Sequence, residues 1–185
     1  RLAAAVRSAD AVIVSDYGYG AVDPPLAARL AAAARERGIP VIVDSRFRMA
    51  EFYDATSITP NITELEAAAG VRIGNDAALL EQVGRNVLHA QRLRSLLVTQ
   101  GRFGMTLFES GRAGLHIPVY GTDEVADVTG AGDTVIAVFT LALACGSPAA
   151  LAARLANYGG GIVVMKRGTA TVTREELRAA VRSAP

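Results

Sequence analysis

Four short apolar runs, each followed by turn or polar residues, constrain the fold of this chain more than any other feature. They are Ala11 to Val14, Pro40 to Val43, Ser57-Ile58 and Ser95 to Thr99. Their brevity and continuity predict buried strands. Segments of helical length lie between them. Asp23-Pro24-Pro25 opens an alanine-rich helix that ends near Arg37-Gly38, with proline tolerated in its first turn. A second helix is expected from Asn61 to Ala69, closed by Gly70, and a third from about Asp76 to Arg92. Strands alternating with helices predict a mostly parallel sheet covered on both faces, a three-layer α/β/α, Rossmann-like architecture. After a G-R-F-G turn, Met105 to Glu109 and Leu115 to Val119 add two strands, which read as an antiparallel edge hairpin. Helices then follow over Gly132 to Cys145, Pro148 to Val164 and Arg174 to Arg182, the last opened by the capping box Thr173 to Glu176.

At 185 residues and 51% hydrophobic, the chain is expected to bury one core and form a single domain over 1–185. The 19 basic residues are dispersed and the net charge is +1, without the basic stripe of a nucleic-acid binder. Aromatic residues make up 5%, too few for a base-stacking surface. The longest apolar stretch, Val135 to Cys145, is shorter than the roughly 18–20 residues of a membrane span, and no signal peptide opens the sequence. The lone cysteine, Cys145, suits a reducing cytoplasm and is expected to be a buried, inert thiol. His89 and His116 have no partner at metal-ligand spacing and read as surface or satisfied histidines. The chain begins at Arg1, and R-L-A-A-A-V-R-S-A-D reads as the end of a helix already under way, so a piece of a longer protein is expected.

In open α/β sheets ligands sit beyond the carboxyl ends of the strands, which directs attention to Asp16, Asp44, Asn61, Thr99 with Gly101, and D-V-T-G-A-G-D. The last segment, Asp127 to Asp133, carries the strongest signal. Gly130, Ala131 and Gly132 leave backbone N–H groups uncovered where a helix begins, and an uncovered helix start suits a phosphate. Asp133, in that first turn, could accept a proton from an attacking hydroxyl. Phosphoryl transfer needs donors for the moving charge, a base for the nucleophile and a metal on the phosphates. The plainer alternative is a tight glycine turn in which Asp133 only favours the helix dipole. Similarly, Asn61 and Glu64 could be an ordinary N-cap box. Gly159-Gly160-Gly161 is costly inside a helix at about 1 kcal/mol per glycine, and either close approach of another group or a broken helix would explain it.

D-V-T-G-A-G-D-T resembles the second signature of the ribokinase or PfkB carbohydrate-kinase family. Other segments match in order: S-D-Y-G-Y-G, T-P-N-I-T-E, L-L-V-T-Q-G-R-F-G-M-T-L and A-N-Y-G-G-G-I-V-V-M-K-R-G-T. The resemblance runs from about Ala9 to Thr173 and implies a ribokinase-like fold. It implies that Asp133 is the catalytic base and that Gly130, Ala131 and Gly132 form an anion hole for the γ-phosphate of ATP. Asn61 and Glu64 match the pair near the phosphates and Mg²⁺, with Ile62 and Thr63 adding free N–H groups. Thr99 and Gly101 match positions lining the nucleotide, and Asn157 one beside the adenine. Asp127 and Thr129 match residues that in some relatives hold a monovalent cation such as K⁺. Asp16, Asp44 and Arg46 are the candidates for substrate contact, and Asp44 equally reads as a turn cap or a phosphate-facing carboxylate.

Within the family, S-D-Y-G-Y-G-A-V, D-V-T-G-A-G-D-T-V-I-A and the G-T-A-T-V-T ending look most like the D-glycero-β-D-manno-heptose 7-phosphate kinases. Bifunctional versions of these carry an adenylyltransferase domain downstream. Tyr19 stands where that branch has lysine, and Asp44-Ser45-Arg46 where many relatives have D-P-K. The resemblance further implies a small-molecule sugar substrate, a homodimeric full-length protein and a cytoplasmic location. It also implies that an N-terminal half supplying sugar contacts and a β lid is missing here, so this stretch alone would bind nucleotide weakly and turn over little sugar. Two other classes compete with this reading. A dinucleotide-binding oxidoreductase fails because Asp23 and Val135 stand where a third glycine is needed, and no P-loop motif occurs. A non-catalytic nucleotide-binding module on a kinase-like scaffold is the other.

Overall fold

The computed structural model describes residues 2–121 and 127–183. Six strands form one sheet in sequence order: β1 (Val12–Asp16), β2 (Val41–Ser45), β3 (Ser57–Ile58), β4 (Ser95–Thr99), β5 (Met105–Glu109) and β6 (Leu115–Ile117). The first four run parallel, and β4, β5 and β6 are antiparallel. The expected parallel sheet with an antiparallel edge is therefore present. Strand β6 stops two residues earlier than its apolar run suggests, because Pro118 has no N–H to give the ladder.

Parallel neighbours taken in sequence order, each joined by a right-handed crossover, place every connecting helix on the same face. Helices α2 (Pro24–Arg37), α3 (Ile62–Ala69) and α4 (Ala77–Ala90) accordingly share one core with Val14, Val41, Val43, Ile58, Leu96 and Val98. The opposite face carries Ile42, Leu97, Met105 and Leu107, and is covered by α5 (Ala131–Ala144) and α6 (Ala149–Val164). The alternation Val41–Ile42–Val43 and Leu96–Leu97–Val98 thus feeds two cores from each strand. A short α1 (Leu2–Val6) packs against α2, and α7 (Arg174–Ser183) against α6.

Local chemistry sets the boundaries. Asp23 caps α2 by accepting from Leu26 N at 2.6 Å, and Gly38 closes it in the left-handed conformation. Helix α4 ends at Ala90, two residues short of expectation, where Arg92 turns to φ +54°. The expectation for Cys145 is corrected: it is exposed, as the C-cap of α5. The apolar run is helical, so only Val135, Ile136, Phe139, Thr140 and Ala142 face the core, and Leu141 on the outer side is 66% exposed. Burying a side chain such as the fully enclosed Phe139 stabilises by about 1.5–3 kcal/mol.

The triple glycine sits in an unbroken α6. A methyl on Gly161 would lie 2.1 Å from the Tyr120 carbonyl oxygen, and one on Gly160 2.9 Å from Val135 Cγ2. Close approach, not a broken helix, accounts for these residues. It lets α6 press against both α5 and the segment after β6.

Candidate active site

Because β1 to β4 are parallel, Asp16, Asp44, Asn61 and Thr99 all emerge at one end of the sheet. An isolated parallel bridge joins Asn61 to Thr99, and Thr99 N donates to the Pro60 carbonyl at 2.9 Å. The T-P-N-I-T-E and T-Q-G segments are therefore stitched side by side. After β4 the chain makes a 3₁₀ turn over Gly101–Phe103 and re-enters the sheet through Gly104. At φ +84°, and with a Cβ position 2.1 Å from the Ile117 carbonyl oxygen, position 104 admits only glycine.

Helix α5 starts at the same end. Its N-cap is Gly130 at φ +78°, and no side chain caps it. Ala131 N donates to the Val128 carbonyl at 3.2 Å, so the first-turn donors left to face a ligand are those of Gly132 and Asp133. Thr99, Gly101, Ala131, Gly132 and Asn157 line one cavity of about 210 Å³, whose remaining walls include Val119, Val135, Gly160 and Gly161. Asn157 is buried and donates from Nδ2 to the Pro118 carbonyl at 2.8 Å, which ties α6 to the end of β6. A larger cavity of about 540 Å³ lies between α4 and the β5–β6 hairpin, and it contains none of the site residues expected from the sequence.

The N-terminus of α3 is built differently. Asn61 Oδ1 accepts from Glu64 N, and the Glu64 carboxylate accepts from Asn61 N, each at 2.9 Å, a closed capping box. Burial raises the Glu64 pKa, opposed by the Asn61 N–H and the charge of Arg46. Asp44 is pushed up to about 6, first by burial and then by the negative charges of Glu64 and Asp133. Arg46 is exposed, its guanidinium 5.8 Å from the centre of the Phe47 ring. Asp127 accepts from Thr129 N at 2.9 Å, a contact that holds its pKa below the usual range.

Asp16 is buried, and protein groups surround its carboxylate. Gly18 N donates to it at 3.0 Å, Ser45 Oγ at 2.8 Å, and Arg48 at 3.0 and 3.2 Å. These donors, the Arg48 guanidinium above all, overcome its burial and lower its pKa. Arg48 also donates to the Val22 carbonyl at 2.8 Å, so it grips both ends of the turn that follows β1. That turn presents Tyr17, whose hydroxyl donates to Asp133 Oδ1 at 2.9 Å. Tyr19, by contrast, is 93% exposed. Sequence reasoning singled out the S-D-Y-G-Y-G turn but assigned no role to Tyr17. It named Arg46 and did not consider Arg48, because nothing local reveals that the second arginine reaches back across β2 to β1.

Comparison with known proteins agrees with this fold. Residues 1–176 match the model of the pfkB family carbohydrate kinases. The chain is 46% identical over 182 residues to the Bifunctional protein HldE of Hahella chejuensis, covering 98% of this chain and 37% of that protein. It is 44% identical over 178 residues to the protein of the same name from Nitrosococcus oceani, covering 96% and 37%. The chain thus spans little more than a third of the length of these curated relatives. Among solved structures it resembles Arabidopsis thaliana ribokinase complexed with ribose and ATP, with a TM-score of 0.85 and 23% identity, covering 98% of this chain and 59% of that one. It also resembles Escherichia coli phosphofructokinase-2 in complex with potassium, with a TM-score of 0.82 and 18% identity, covering 97% and 60%. A ribokinase-like fold and a family match over nearly the whole length place the chain in the pfkB family of carbohydrate kinases.

Proposed function

We propose that this chain forms the nucleotide-binding and catalytic portion of an ATP-dependent sugar kinase, and that its acceptor is heptose 7-phosphate, converted to the 1,7-bisphosphate. One observation carries the reading: the uncapped start of α5 lines the cavity between the β4–β5 turn and α6 with Ala131 and Gly132, and Asp133 follows in the same first turn. A nucleotide in that cavity would lie along Thr99, Gly101 and Asn157 and point its terminal phosphate at the helix start. Asp133 would accept the proton of the acceptor hydroxyl as its oxygen attacks the γ-phosphorus and ADP departs. The heptose assignment rests on the 44–46% identity to HldE proteins.

Among the described residues no three carboxylate, histidine or cysteine side chains converge as a ready-made metal site. Asp44, lifted first by burial and then by the charges of Glu64 and Asp133, stands among carboxylates whose repulsion a divalent cation would relieve. That pattern fits Mg²⁺ held by the nucleotide phosphates and waters near Asp44, Glu64 and Asn61, where it would neutralise phosphate charge. Ile62 and Thr63 begin α3 beside it. Asp127 and Thr129 offer oxygens of the kind a monovalent cation such as K⁺ takes. Asp44 and Arg46 remain the acceptor-side candidates, whereas Asp16, enclosed by donors, serves by shaping the turn that carries Tyr17. As in the expectation from sequence, we read the natural protein as a cytoplasmic homodimer.

The test is ATP-dependent phosphorylation of heptose 7-phosphate by the intact natural protein. Formation of ADP and the 1,7-bisphosphate is expected, and phosphorylation of other sugars but not of the heptose would move the acceptor assignment elsewhere in the family. No turnover with any sugar, together with intact nucleotide binding, would instead favour a non-catalytic module.

A further inference from the structure

Tyr17 belongs to no part of the chemistry described so far, yet it is the side chain that touches Asp133. The two residues are 116 positions apart, and the 2.9 Å bond joins the turn after β1 to the first turn of α5. The ring itself is 44% exposed, so packing alone does not explain its placement. Its backbone is held firmly. Gly18 at φ +77° bends the chain immediately after it, and a methyl there would lie 3.0 Å from the Phe47 ring. The Asp16 carboxylate fixes the entry to the turn, and Arg48 locks that carboxylate to the Val22 carbonyl at the exit. The hydrogen bond to Asp133 raises the Tyr17 pKa, so the phenol stays protonated and remains a donor.

We propose that Tyr17 is a positioning residue for Asp133, its hydroxyl holding one carboxylate oxygen so that the other is offered to the acceptor hydroxyl. The proposal rests on the reading of Asp133 as the base. A carboxylate at a helix start is free to rotate about its side-chain bonds, and a base must lie within hydrogen-bond reach of the proton it takes. A donor anchored on a separate, rigid turn removes that freedom.

Tyr17→Phe in the intact natural protein, assayed with ATP and heptose 7-phosphate, separates this role from a structural one. The variant is expected to lose about ten- to a hundredfold in kcat, the worth of a hydrogen bond to a charged group. KM for ATP should stay within about twofold, since a positioning bond to the base does not bind the nucleotide. A fall in kcat accompanied by a raised ATP KM and a lower melting temperature would make Tyr17 structural and overturn the proposal. Unchanged kcat in Tyr17→Phe, beside an inactive Asp133→Asn, would overturn the Tyr17 role while sparing the base. An Asp133→Asn protein that turns over like the parent would overturn both.

Discussion

Two helices begin at the same end of the sheet, and they treat their exposed N–H groups in opposite ways. Helix α3 closes its own start with the reciprocal Asn61–Glu64 box. Helix α5 starts on a left-handed glycine with no side-chain cap and holds Asp133 in its first turn. A cap of the usual kind stabilises a helix by about 1 kcal/mol. Forgoing it at α5 leaves the Gly132 and Asp133 N–H groups for a ligand, whereas the box at α3 engages those of Asn61 and Glu64 and contributes negative charge. On the proposed reading the uncapped start faces the phosphates, and the capped start shapes the field around it.

The strongest way to break this contrast is Asp133→Asn. It keeps the shape of the helix start and removes the base, so kcat should fall about 10²- to 10⁴-fold, with nucleotide affinity, read by calorimetry, nearly unchanged. Asp44 offers the next largest effect. Burial above all lifts its pKa in the folded chain to about 6, above the ordinary aspartate value, so the folded chain holds a proton that the unfolded chain has released. Stability should therefore fall as pH rises from about 4 to 6 and stay level above, the loss amounting to about 3 kcal/mol. Asp44→Asn should flatten that slope in urea unfolding and leave the chain more stable at pH 7, while activity drops. A variant equally active and no more stable would refute the crowding of charge at this site. Gly161→Ala should cost about 1–3 kcal/mol by driving a methyl toward the Tyr120 carbonyl, and should weaken nucleotide binding through the distorted cavity wall. The smallest effect separates the two roles of Asn61. Asn61→Ser retains a capping oxygen, so thermal stability should change by only a few tenths of a kcal/mol. A fall in kcat of roughly tenfold with stability preserved would show that this residue serves the phosphates as well as the helix.

The legible parts of the molecule were those in which local sequence decides the outcome. Short apolar runs placed the strands, Asp23 and Gly38 bounded α2, and the bare glycines of D-V-T-G-A-G-D marked the start of α5. Both readings of Asn61 and Glu64 came from the same spacing, and the geometry contains the cap outright. Parts that depend on contacts between distant segments were not legible. Arg48 acts on Asp16 and Val22, 32 and 26 positions away, and Tyr17 on Asp133, 116 away. Cys145 was misplaced because an apolar run in a helix, unlike one in a central strand, must send some of its residues outward.

The most direct measurement is a crystal structure with a non-hydrolysable ATP analogue. The base should lie along Asn157 and the Gly101 turn, with the γ-phosphate about 3 Å from the Gly132 and Asp133 N–H groups. A nucleotide seated instead in the larger cavity between α4 and the β5–β6 hairpin, with the start of α5 bare, would contradict the account.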